Sequence, residues 1–142
     1  VTVSAAGHAT YYEDLVIGER EETPALTLTE THVALYRGLT GDEDAPPSVV
    51  PDLLPLCLST GLGWRILRPP LAVLAFMSID WRIVRAARVG DTIRCRLQTM
   101  ARRAMRDTGV VIEMHEVVDQ RDDLIQGGRF TFLIARRPAP AP

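Results

Sequence analysis

Residues 52–67 read DLLPLCLSTGLGWRIL. Leu53, Leu54, Leu56, Cys57, Leu58, Leu62, Trp64, Ile66 and Leu67 leave no polar face at helical spacing. A helix that is apolar all round is one that is buried all round. The stretch therefore predicts a helix enclosed by the rest of the molecule. Asp52 is its expected N-cap, which puts Pro55 at the third helical position, where a missing N–H has no intrahelical acceptor to lose. Arg68-Pro69-Pro70 ends it. Gly61 and Gly63 lie inside the helix at a cost of about 1 kcal/mol each against Ala, so a close approach by a strand or ligand is expected there.

Everything after this helix reads as strand. Residues 72–84 form one apolar run, and Gly90-Asp91 is a turn. Residues 92–99 alternate, with Ile93, Cys95 and Leu97 on one side and Arg94, Arg96 and Gln98 on the other. Period two is the mark of a half-buried strand. Residues 102–109 are expected as a polar hairpin carrying Arg102, Arg103 and Arg106. In the next strand Val110, Ile112, Met114 and Val118 share a face, with Glu113, His115 and Asp119 on the other. On that reading His115 is solvated, and Arg94 and Arg96 pair across strands with Glu113 and His115. Residues 124–135 form the last strand, with Phe130, Phe132 and Ile134 on one side.

Before the helix, Ala25 to Thr29 suits a short strand. A first helix then carries Val33, Tyr36 and Arg37 on its inner face and stops at Gly41-Asp42. Three acids and three prolines make 42–51 a loop. Residues 1–10 are expected as a flexible arm, 11–137 as one domain, and 138–142 as a Pro/Ala tail. A curved antiparallel sheet wrapped around one long buried helix, an α+β fold, satisfies this order of elements.

Composition agrees with a single enclosed core. The chain has 142 residues, 46% of them hydrophobic and 24% charged, which excludes a disordered or fibrous chain. The formal net charge is −2, so no nucleic-acid footprint is expected. No apolar run approaches the ~20 residues of a membrane span, no signal peptide is read, and a cytoplasmic location is expected. All 16 basic residues are Arg, so lysine chemistry is excluded. The two cysteines, Cys57 and Cys95, have no metal-ligand spacing. Both read as small buried apolar residues.

The chain resembles the MaoC-like hydratase/dehydratase family, which has the hot-dog fold. The resemblance rests on Tyr12-Glu13-Asp14-Leu15-Val16-Ile17-Gly18, on Thr29-Glu30 with Leu39-Thr40-Gly41-Asp42, on Trp81-Arg82-Ile83-Val84 with Arg88-Val89-Gly90-Asp91-Thr92-Ile93, and on Val117-Val118-Asp119-Gln120-Arg121-Asp122. It implies hydration or dehydration of an acyl thioester by an Asp and a His five residues apart, with a backbone N–H at the opening of the buried helix as oxyanion donor. Asp42 matches the family Asp. Pro47 stands where the resemblance places the His.

The expected site follows from that departure. Asp42 and Asp52 are the candidate catalytic carboxylates, and Tyr36, Trp64 and Trp81 are the candidate substrate-binding residues. The expected activity is a repurposed dehydration, isomerisation or cyclisation of an acyl or polyketide-like intermediate linked to CoA or a carrier protein. The alternative is a non-catalytic subunit that pairs with an active homologue and shapes its acyl pocket. No metal and no cofactor are implied. A homodimer is expected, or a heterodimer with a hot-dog homologue, with neither nucleic acid nor membrane as partner.

Overall fold

The structure, a computed structural model, describes residues 9–41 and 44–139. Its strands are β1 (Arg20–Glu22), β2 (Leu26–Thr27), β3 (Val73–Ile83), β4 (Thr92–Ala104), β5 (Thr108–Val118) and β6 (Leu124–Ala135). Its helices are α1 (Glu30–Thr40) and α2 (Leu54–Gly63). The sheet is antiparallel throughout, in the order β1-β4-β5-β6-β3, with β2 also on β4. One face of α2 packs on β4 and β5. This is the expected α+β hot-dog architecture. Thr10, assigned to the N-terminal arm from sequence, is buried and bridged to Leu71.

Local chemistry sets α1. The Thr29 N–H donates to Nδ1 of His32 at 3.1 Å, closing the first turn. At the other end Gly41 has φ 73° and donates its N–H to the Arg37 carbonyl, a left-handed cap that favours glycine. Val33 and Arg37 are the buried residues of α1. The Arg37 guanidinium donates to the carbonyls of Ala45, Pro46 and Val49, so the polar loop is pinned to the helix by a buried charge.

The central helix differs from the sequence expectation in length and in burial. It starts at Leu54, with Leu53 as N-cap and no side-chain capping bond. Leu54 donates its N–H to the Pro51 carbonyl, so Asp52 belongs to the turn ahead of the helix and is no N-cap. Leu54, Pro55, Ser59 and Leu62 are buried, while Cys57, Leu53, Trp64 and Leu67 are exposed. The sheet covers one side of α2. The described residues leave its other apolar side uncovered. A Cβ on Gly61 or Gly63 would meet nothing within 4 Å, so no strand makes the close approach expected there, while Gly63 lines the cavity described below. A strand comes close instead at Gly128, where a Cβ would sit 1.9 Å from the Asp80 carbonyl oxygen on β3.

The sheet departs from the sequence reading at one residue. A hairpin that pairs Ala104 with Gly109 and runs on without interruption puts Leu97 opposite Glu116. In the structure a register shift at Met100 puts Leu97 opposite His115 and Thr99 opposite Glu113. One extra residue in one strand exchanges the faces of everything beyond it. The buried face of β5 is therefore Val111, Glu113, His115 and Val117, while Val110, Ile112 and Met114 are half-buried on the other side. The expected ladder of Arg94 and Arg96 with Glu113 and His115 is corrected accordingly. Arg94 and Arg96 lie on the opposite face and pair with Glu22 and Asp122.

Two apolar clusters make up the core. Leu28, Val33, Ile93, Val117 and Ile125 anchor one; Leu15, Val111, Phe130 and Ile134 anchor the other. Trp81 packs against both.

Candidate active site

A cavity of about 510 Å³ lies between the C-terminal half of α2, the start of β3 and the inner face of the sheet. Leu71, Val73, Leu97, Phe130 and Phe132 supply much of its apolar wall. Trp64, Leu74 and Phe76, all exposed, mark its open side. Phe130 and Phe132 stack on the inner wall, and Phe76 meets them edge-to-face at centroid distances of 5.3 and 5.1 Å.

Three ionisable side chains interrupt this wall: Arg68, Glu113 and His115. Glu113 is 2% exposed and His115 7%. Arg68 donates through Nη2 to Glu113 Oε1 at 3.1 Å. His115 Nε2 stands 3.1 Å from Glu113 Oε2, and the imidazole stacks on Phe130 at 4.1 Å between centroids. Arg68 Nε lies 2.7 Å from Glu21 Oε2, an ion pair whose alignment is too poor for a hydrogen bond. The chain of contacts thus runs Glu21, Arg68, Glu113, His115.

Burial alone would push the Glu113 carboxyl up, but His115 and Arg68 together hold it below its ordinary value. Burial pushes Glu21 up, against the pull of Arg68 and with the help of the Glu113 charge. Cys95 Sγ lies 4.0 Å from His115 Nδ1. Burial raises that thiol to about 12, so it stays protonated at neutral pH and is no activated nucleophile. The sequence expectation that both cysteines are buried holds for Cys95 and is corrected for Cys57, which is exposed. It lies on the side of α2 that the sheet does not cover.

The residues expected from sequence fall in three places. Trp64 stands at the cavity's open side. Tyr36 and Trp81 sit near the N-terminal end of α2, packed against the cluster of Val33, Val50 and Leu54. Trp81 Nε1 donates to Gln126 Oε1 at 3.0 Å, and Gln126 Nε2 donates to the Asp52 carbonyl at 2.6 Å. The Asp52 residue is exposed, ahead of the helix. Asp42 lies outside the described residues, as do Glu43 and His8. Asp44 and Pro47 are exposed.

Glu113 and His115 are the cavity residues that sequence reasoning set on the solvent side. The signal that could have placed them was indirect. Leu97 was read as buried, and its cross-strand partner shares its face, but naming that partner requires the Met100 bulge. Among the described residues, no group of three or more His, Cys, Asp or Glu side chains is placed to hold a metal, and no helix is long and apolar enough to cross a membrane.

No family model matches the chain, and no curated protein matches it. Solved structures do. The monoamine oxidase regulatory protein of Archaeoglobus fulgius is 28% identical with a TM-score of 0.83, over 94% of this chain and 99% of that one. The MaoC-like dehydratase of Rhodospirillum rubrum is 16% identical with a TM-score of 0.78, over 92% of this chain and 100% of its own. A Mycobacterium tuberculosis protein with a double hot-dog fold is 21% identical with a TM-score of 0.78; the match spans 94% of this chain and 46% of that one. The chain has the hot-dog fold, and its structural likeness is to the MaoC-like dehydratases, the family that its sequence resembles.

Proposed function

We propose that the chain is a dehydratase-type enzyme acting on an acyl thioester or polyketide-like intermediate, with the acyl group lying in the cavity beside α2. The cavity carries this reading. It is of the size that takes a small organic ligand, apolar over most of its wall, and open on one side. The likeness to a MaoC-like dehydratase supports it by analogy of fold.

Dehydration of a 3-hydroxyacyl thioester takes a proton from the α-carbon and releases the β-hydroxyl as water, with a proton delivered to that oxygen. Hydration is the reverse. One site must both accept and donate a proton. Asp42 and Asp52 are the carboxylates proposed for this work, Asp52 from the turn ahead of α2. A lone carboxylate at pH 7 accepts a proton but donates poorly, so the reading requires a second carboxylate beside it to share the proton. Proposed carriers are CoA or a carrier protein, and the proposed assembly is a pair of copies, or a copy with a homologue, joined along β3.

The test is turnover of crotonyl-CoA and of longer 3-hydroxyacyl thioesters, with binding measured alongside. Expected are binding of the longer thioesters, slow crotonyl-CoA hydration, and loss of native turnover in Asp42→Asn. General acid–base help is worth ~10²–10⁴-fold, so a shortfall of that order against an enzyme with an Asp/His pair is the expected result. Hydration of crotonyl-CoA at the full rate of such an enzyme would overturn the two-carboxylate site. The non-catalytic subunit remains the second reading, favoured by Pro47 at the position of the family His. Solubility only on co-expression with a homologue, and full activity of that complex with Asp42→Asn, would establish it instead.

A further inference from the structure

The ion-pair chain in the cavity wall is poorly explained by stability. A buried ion pair is often no better than apolar residues of the same volume. This one stands on the inner face of β5 between Val111 and Val117, against Phe130. Its members keep unused hydrogen-bonding capacity. A carboxylate has roughly four acceptor sites, and those of Glu113 meet one Arg68 nitrogen and one His115 nitrogen. His115 turns Nε2 to Glu113 at 3.1 Å and Nδ1 to the Cys95 thiol 4.0 Å away. Arg68 has five N–H donors, of which Nη2 serves Glu113 and Nε faces Glu21 at 2.7 Å. The wall thus offers donors from Arg68 and acceptors from Glu113 and His115 at one place in an otherwise apolar cavity.

We propose that Arg68, Glu113 and His115 select an acyl group that carries a hydroxyl beyond its β-carbon, over the plain alkyl chain of the same length. A hydroxyl donates one hydrogen bond and accepts others, so it can give its proton to Glu113 or His115 and accept from Arg68. A plain alkyl tail would strip water from these groups and return nothing. A site built to bond a substrate hydroxyl rejects the analogue without it far more strongly than an apolar pocket rejects a missing methylene. This inference rests on the reading that the cavity holds the acyl group.

The experiment measures binding of S-octanoyl-pantetheine against its 5-, 6- and 7-hydroxy counterparts by calorimetry. At least one hydroxylated thioester should bind about 10- to 100-fold tighter than octanoyl. In Glu113→Gln and His115→Phe that preference should shrink toward unity while octanoyl binding is kept or improves, and His115→Gln should restore part of it. Arg68→Met, at the cavity's edge, serves as a further variant should Glu113→Gln fail to fold, with circular dichroism as the check. Octanoyl binding as tightly as every hydroxylated isomer would overturn the selection and leave the acyl reading intact. A preference unchanged in all folded variants would do the same. No binding by any of the four would overturn both.

Discussion

Glu113 occupies a position that a carboxylate tolerates only while it is paired. Burial opposes its charge, and His115 and Arg68 more than offset that, leaving its pKa below the ordinary value near 4.5. A folded-state pKa that is depressed means stability present above the unfolded-state pKa and lost as pH falls through the folded one. The unfolding free energy should therefore decline below about pH 4.5, and Glu113→Gln should flatten that part of the curve while lowering the plateau at pH 7. Urea denaturation of both chains between pH 3 and pH 7 measures this, and parallel curves would show that the pair is not formed. Sequence alone does not bring these residues together. Arg68 and Glu113 are 45 positions apart, and in β5 both acidic and imidazole side chains alternate with larger apolar ones, so period two favours the wrong face. Asp42 and Asp52 are candidates for a different reason: one stands in a turn motif of the resemblance, the other where the chain prepares to enter a helix. The outcome for Asp52 is a turn residue, because Pro51 and Leu54 close a bond ahead of the helix.

The elements themselves were largely readable. Residues 72–84 and 124–135 were expected as strands and form β3 and β6, because long apolar and β-branched runs bounded by turn residues have few alternatives. The short β1 escaped notice because Arg20-Glu21-Glu22 carries no apolar alternation. The bulge at Met100 was beyond reach, since Met100 looks like any other strand residue and only the pairing of Thr99 with Glu113 and of Ala101 with Ile112 exposes it. This bulge decides which chemistry faces the cavity. Deleting Met100 should force either a one-residue slip, which buries Met114 and Glu116 and expels Glu113 and His115, or loss of the sheet's distal half. Neither leaves the core intact, so destabilisation above about 4 kcal/mol is expected. Thermal unfolding followed by near-ultraviolet circular dichroism reports it. A deletion chain as stable as the parent would mean that the register is set by the 105–107 turn alone.

At the scale of the whole molecule, an apolar surface is left that the described residues do not cover. β3 ends the sheet order, so its outer backbone edge has no strand beside it among the described residues. Along it Leu74, Met77, Ile79 and Ile83 are 41–55% exposed, and Leu53 before α2 and Leu67 after it are exposed as well. A long, apolar edge strand is a template for another strand, and stable proteins blunt such edges with charge or cover them. Here Asp80 and Arg82 are the charges on β3, and Asp80 is already paired with Arg129 at 2.7 Å. The sequence pattern around residues 52–67 anticipated this in its own way: it demanded burial on all sides, and a single chain supplies one. Hydropathy marks a face as apolar without saying what meets it. A second chain along β3 would cover both β3 and the open side of α2, and would extend the sheet without disturbing the Arg68–Glu113–His115 face. The chain is therefore expected to sediment as a dimer at micromolar concentration. The double variant Met77→Lys/Ile79→Lys should sediment as a monomer with its far-ultraviolet spectrum retained, since both side chains are more than 40% exposed and need no burial to keep the fold. A dimer that survives both lysines would move the interface away from β3, to the uncovered side of α2 alone.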